Sequence, residues 1–181
     1  MTGQPAGLSS PFGKSLTDLL EELGKLVEKS SSVRSIESLL PDLLDAAMTF
    51  SGLPSAAVYL TGDGGEVLHL MAEGGKRTDP EERRRRLVIG EAVTGRAYQS
   101  RKTVVVEDES DEPVLGEPLR ALGMKSQVSL PLLSGGQILG VLDLNDAKPR
   151  RFSAEETSWL QSLAGHIAVL LFGSRLFVQS Q

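Results

Sequence analysis

A chain of 181 residues, 40% hydrophobic and 24% charged, is long enough to bury a core and ordinary in composition for a folded domain. Its formal net charge of −5 gives no general pull toward nucleic acid or an anionic membrane, and one Trp, two Tyr and five Phe are too few for a base-stacking platform. There is no cysteine, which excludes disulfides, thiolate nucleophiles and cysteine-ligated zinc, and two histidines, His69 and His166, supply a metal poorly.

Residues 1–14 are rich in Gly, Ser and Pro and are expected to be disordered, leaving 15–178 as one folded unit. Leu16, Leu19, Leu20, Leu23, Leu26 and Val27 recur at helical spacing and predict an amphipathic helix over 15–29. A second helix is expected over 35–51, started or kinked at Pro41 and ended by Gly52 and Pro54. A strand over 56–60, a turn at Gly62-Asp63-Gly64-Gly65 and a returning strand over 67–72 form a hairpin. Residues 73–86 are polar, and the basic run from Arg83 to Arg86 reads as a solvated face partly offset by Glu81 and Glu82. A short helix follows Gly90-Glu91 through Tyr98, then a β-branched strand over 103–106 and a loop carrying Asp108, Asp111, Pro113 and Pro118.

The segment 125–145 is the most informative. It predicts two strands joined at Ser134-Gly135-Gly136, and strand side chains alternate between faces. Val128, Leu130, Leu132, Leu142 and Leu144 share one face, and Gln127, Ser129, Asp143 and Asn145 share the other. Four polar groups gathered at the adjoining ends of a hairpin read as the floor of a polar pocket. Ser153 and Glu156 make a capping-box pattern that opens a last helix over 153–179, about 26 residues and roughly 39 Å long. Its apolar residues cover more than one stripe, more than packing on a sheet alone requires, so Leu163, Ile167, Leu170 and Phe177, with Leu16, Leu20, Leu23 and Val27, are expected at a homodimer interface. No stretch reaches the roughly 20 apolar residues of a membrane span, and the N-terminus lacks the features of a secretory signal, so a cytoplasmic location without membrane contact is expected.

Five segments carry a family resemblance: Leu87-Val-Ile-Gly90-Glu91-Ala-Val-Thr-Gly95-Arg96, Val104-Val-Val-Glu-Asp108, Gly123-Met-Lys-Ser126-Gln-Val-Ser-Leu-Pro131, Gly140-Val-Leu-Asp143-Leu-Asn145, and Arg151-Phe152-Ser153 running on to Trp159 and Ala168. In order and spacing they resemble the GAF domain family over roughly residues 16–178. The resemblance implies an α+β, PAS-like fold: a five- or six-stranded antiparallel sheet, terminal helices on one face and a ligand pocket on the other. It implies a pocket role for Gln127, Ser129, Asp143 and Asn145, with Tyr59 beside them and Glu91, Arg96 and Asp108 near the lid or mouth.

The cysteine-dependent sulfoxide reductase and covalent bilin chemistries of that family are excluded by composition. Neither histidine is placed to ligate haem, and no catalytic triad stands out, so no catalysis and no cofactor are expected. The expected function is a sensor module for a small polar or anionic molecule, relaying through terminal helices in a dimer to an output domain such as a kinase, cyclase or transcription regulator. The alternatives are a dimerisation module with a vestigial pocket and a cyclic-nucleotide-binding domain. For the latter, Asn145 and Phe152 match the family motif, Asp146 replaces its lysine, and the acidic pair Glu155-Glu156 is shifted.

Overall fold

The computed structural model describes Asp18, Glu21 and Lys25, each in helical conformation, and residues 36–62, 64–75 and 85–179. The expected disordered stretch 1–14, the residues Leu16, Leu20, Leu23 and Val27, Arg83 and Arg84, and the side chain of Phe177 lie outside the described residues.

The elements in chain order are α1 (Ile36–Ser51), β1 (Ser55–Thr61), β2 (Val67–Gly75), β3 (Arg86–Val88), α2 (Ala92–Ser100), β4 (Val104–Val106), a 3-10 turn (Glu109–Asp111), α3 (Gly116–Ala121), β5 (Ser126–Ser134), β6 (Gln137–Asp146) and α4 (Ala154–Gln179). The strands form one six-stranded sheet in the order β3-β2-β1-β6-β5-β4, and every neighbouring pair is antiparallel. This is the expected α+β architecture with six strands. Three elements go beyond the sequence reading. β3 and the 3-10 turn span three residues each, too short for any periodicity to register. α3 carries Pro118 in its first turn, where a missing N–H costs nothing. β2 also runs on to Gly75. A Cβ on Gly74 would lie 2.5 Å from Cε of Met48, the movable tip of a side chain on α1, so the strand passes close beneath that helix.

Strand alternation divides the sheet into two differently filled faces. Val58, Val128, Leu130, Leu132, Leu142 and Leu144 pack against α1 and α4, in one large core. Pro41 sits inside α1, and the helix continues through it to Phe50, whose ring lies 5.7 Å from that of Trp159 on α4. α4 therefore packs against both the sheet and α1, and this accounts for the breadth of its apolar surface. Leu163 and Ile167, expected at a dimer interface, are 0% and 1% exposed within the single chain. A side chain already withdrawn from water gains nothing by a second burial. Leu170 is half-buried against the same core, and among the described residues of α4 Val169 is the large apolar side chain turned to solvent, at 61% exposure. The opening of α4 follows its sequence signal in one direction: the Glu156 N–H donates to Ser153 Oγ at 3.1 Å, whereas Oε2 of Glu156 is buried without a partner.

Candidate ligand site

The other face of the sheet holds a smaller apolar cluster, Ala57, Tyr59, Leu68, Ala97 and Val141, and beside it a polar one. The register of β5 and β6 sets Gln127 opposite Asn145 and Ser129 opposite Asp143, so the four residues read from alternation are two directly facing cross-strand pairs. β1 adds Ser55 opposite Asn145, and α2 lowers Thr94 onto the cluster from above. All six side chains are buried.

The hydrogen bonds run in one direction. Ser55 Oγ donates to Asn145 Oδ1 at 2.7 Å, and Asn145 Nδ2 donates to Gln127 Oε1 at 3.1 Å. Gln127 Nε2 donates to Ser129 Oγ at 2.8 Å and reaches Thr94 Oγ1 at 3.4 Å. Ser129 and Thr94 then donate to the two oxygens of Asp143, at 2.6 Å and 2.5 Å. Both oxygens of Asp143 accept, which makes it the terminus of the chain of donors, and each bond polarises the next. Two hydroxyl bonds offset part of the cost of burying that carboxyl group.

Tyr59, Thr94 and Gln127 line a narrow void between this network and the elements above it, α2 and α3. The void measures about 20 Å³, room for a single water. Its covering is packed closely: a Cβ on Gly95 would lie 2.7 Å from the Val88 carbonyl oxygen, and one on Gly116 would lie 1.9 Å from that of Glu109. Arg120 of α3 donates from Nε to Glu109 at 2.9 Å, tying α3 to the 3-10 turn.

Tyr59 is brought to the polar cluster as expected. Three others are not. Glu91 is the exposed N-cap of α2, and Arg96 is exposed on its outer side, because Val93, Thr94 and Ala97 occupy the inner one. Asp108 caps the 3-10 turn, accepting from Ser110 N–H at 3.0 Å and Ser110 Oγ at 2.7 Å, and lines a separate groove beside Arg150 and Arg151. Those bonds hold its carboxyl below the ordinary carboxylate value. Thr94 and Ser55 were missed. Thr94 is the one polar residue on the buried side of α2, a signal visible once the short helix is drawn as amphipathic. Ser55 carries no such signal, since only the β1–β6 register sets it against Asn145. Among the described residues, no group of three or more His, Asp or Glu is placed to hold a metal ion.

A family model for the GAF domain matches residues 33–171. The chain belongs to the GAF domain family. A curated relative, GAF domain-containing protein A of Dictyostelium discoideum, is 33% identical over 78 residues, covering 43% of this chain and 48% of its own length. The chain thus matches about half of that relative. Solved structures share the GAF fold at lower identity. The GAF domain of an Acinetobacter phosphoenolpyruvate-protein phosphotransferase superposes with a TM-score of 0.70 at 19% identity, covering 90% of this chain and 98% of that one. A free methionine-R-sulfoxide reductase from Neisseria meningitidis, solved with its substrate, gives 0.68 at 22%, covering 87% and 90%. A domain of a two-component sensor histidine kinase protein from Sinorhizobium meliloti 1021 gives 0.64 at 20%, covering 82% and 100%. No helix among the described residues is long and apolar enough to cross a membrane.

Proposed function

We propose that this GAF domain is a non-catalytic sensor module that binds a small polar molecule over Gln127, Ser129, Asp143 and Asn145, beneath α2 and α3, and passes the event to α4. One observation carries the reading: the buried carboxylate of Asp143 ties the sheet to α2 through the hydroxyl of Thr94. A ligand that takes Oδ2 of Asp143 in place of the Thr94 hydroxyl releases that polar tether of α2. Binding and movement of the covering helix are then one event, which is the coupling that a sensor requires. The sensor kinase domain of the same fold is in keeping with this role.

The site favours a ligand that donates hydrogen bonds. Asp143 accepts at both oxygens, and the lining of the void beside it contains no cation among the described residues. An ammonium, amide or hydroxyl group can donate to those carboxyl oxygens, whereas a phosphate or carboxylate brings further acceptors to them. This narrows the expected polar or anionic ligand to its polar, donor-bearing half and weighs against a cyclic nucleotide. Relay would pass from α2 to β5 and β6, on which α4 packs, and then to an output domain, with a second copy meeting the outward face of α4 around Val169.

A second reading, a dimerisation module whose pocket is vestigial, is favoured by the 20 Å³ void and by the closed donor chain from Ser55 to Asp143. A thermal-shift screen of amines, amino acids, amides, polyols, nucleotides and small carboxylates separates the two. A ligand at about 100 times its dissociation constant stabilises by about 2.7 kcal/mol. A donor-bearing hit that is lost in Asp143→Asn and kept in Asp108→Asn supports the sensor. A flat screen on folded protein, or hits indifferent to Asp143→Asn, supports the vestigial pocket.

A further inference from the structure

β4 ends well short of its neighbour. It pairs only with Gln127, Val128 and Ser129, so among the described residues no strand lies along the outer edge of β5 from Leu130 to Ser134, a length of roughly 16 Å. A groove of about 490 Å³ follows that edge, between β5, α4 and the connection from α2 to β4. Its exposed apolar side chain is Leu133, 39% exposed, beside the buried core residues Leu130 and Ala164. Its rim carries Arg101 and Lys102, both exposed. Among the described residues no carboxylate lines it, on a chain whose formal charge is −5. Arg101 sits in the left-handed region with φ 56° at the end of α2, where glycine is the usual residue, and its guanidinium lies along the edge, 3.3 Å from the Gly136 carbonyl oxygen.

Unpaired strand edges recruit other chains, and proteins guard them with proline and positive charge. Pro131 in this edge has no N–H to offer, and Arg101 and Lys102 beside it repel a second copy presenting the same edge. The same two cations attract a chain of opposite charge. We propose that the free edge of β5 is a docking site for an extended acidic segment of a partner protein. The segment adds as a strand beside Leu130–Ser134, sets an apolar side chain on the exposed Leu133, and meets Arg101 and Lys102 with its carboxylates.

The test uses the full chain and a short fluorescein-labelled peptide alternating Glu and Val, followed by fluorescence polarisation at low and high salt. The expected result is binding about tenfold tighter than that of the matching Gln and Val peptide, weakening as salt rises. It is lost in Arg101→Glu/Lys102→Glu and reduced in each single variant, and all of these reversals fall on exposed side chains. A Glu and Val peptide N-methylated at alternate residues binds no better than background, because it cannot complete a ladder. Equal binding of the Gln peptide, of the methylated peptide or by the double variant overturns the proposal, as does failure of the Glu peptide to bind. A change in the sedimentation of the protein alone on charge reversal assigns the groove to a second copy and overturns it equally.

Discussion

Asp143 and Thr94 show how much of the site rests on single atoms. Thr94→Val keeps the shape of the side chain but removes one of the hydroxyl donors to a buried carboxylate, and an expected loss of about 1–3 kcal/mol follows from leaving that acceptor short. Asp143→Asn alters the same bond from the other end. In urea denaturation the double variant should lose less than the sum of the single losses, by roughly 0.5–3 kcal/mol, because the two side chains share one interaction. Strict additivity would mean that the Thr94–Asp143 contact holds nothing. Asp108 gives a pH prediction. Its carboxyl is held below the ordinary value by Ser110, so the cap is present above that value and is lost as pH falls through the lowered one. The Ser110 amide resonance, followed by NMR, should titrate with a midpoint below 3.8, and a midpoint at or above 3.8 would contradict the cap. At this scale the sequence was informative wherever a strand set the direction. Gln127, Ser129, Asp143 and Asn145 needed only a period of two, while Glu91 and Arg96 failed because three or four residues on a short helix decide between inside and outside.

Among the elements, the β5–β6 hairpin is the most constrained. Gly140 faces Leu60 on one side and Leu132 on the other, and a Cβ there would lie 1.9 Å from the Tyr59 carbonyl oxygen. Backbone cannot yield as a side-chain tip can, so Gly140→Ala should push β1 and β6 apart and cost about 1–3 kcal/mol or more. A shift in denaturation midpoint with unchanged slope would register it. A neutral outcome would mean that the two strands can separate locally. The apolar and polar periodicities of these two strands, of α1 and of α4 were legible along the chain. β3, the 3-10 turn and α3 were not, because they are too short to show a period and, unlike β4 with its three valines, carry no β-branched run to mark them.

For the molecule as a whole, the two sides of α4 make opposite predictions. Leu163→Ala opens a cavity in the core and should cost about 2–5 kcal/mol in a monomer or a dimer alike. Val169→Glu alters an exposed position and should leave monomer stability nearly unchanged while weakening self-association in sedimentation velocity. If Val169→Glu leaves association intact, the outward face of α4 is not the contact between copies. What the sequence determined by itself is what local chemistry controls: the strand and helix periodicities, the cap at Ser153, the polar face of one hairpin, and the exclusion of cysteine chemistry. Tertiary structure alone decided which polar neighbours completed that face, since Ser55 and Thr94 arrive from elements 90 and 49 residues away from their partners. It also decided that Leu163 and Ile167 belong to the core, because the second apolar stripe of a helix is indifferent to whether its partner is α1 of the same chain or a second copy. Chain position carries no record of that choice; packing makes it, by burying the surface against whichever partner the fold brings into reach.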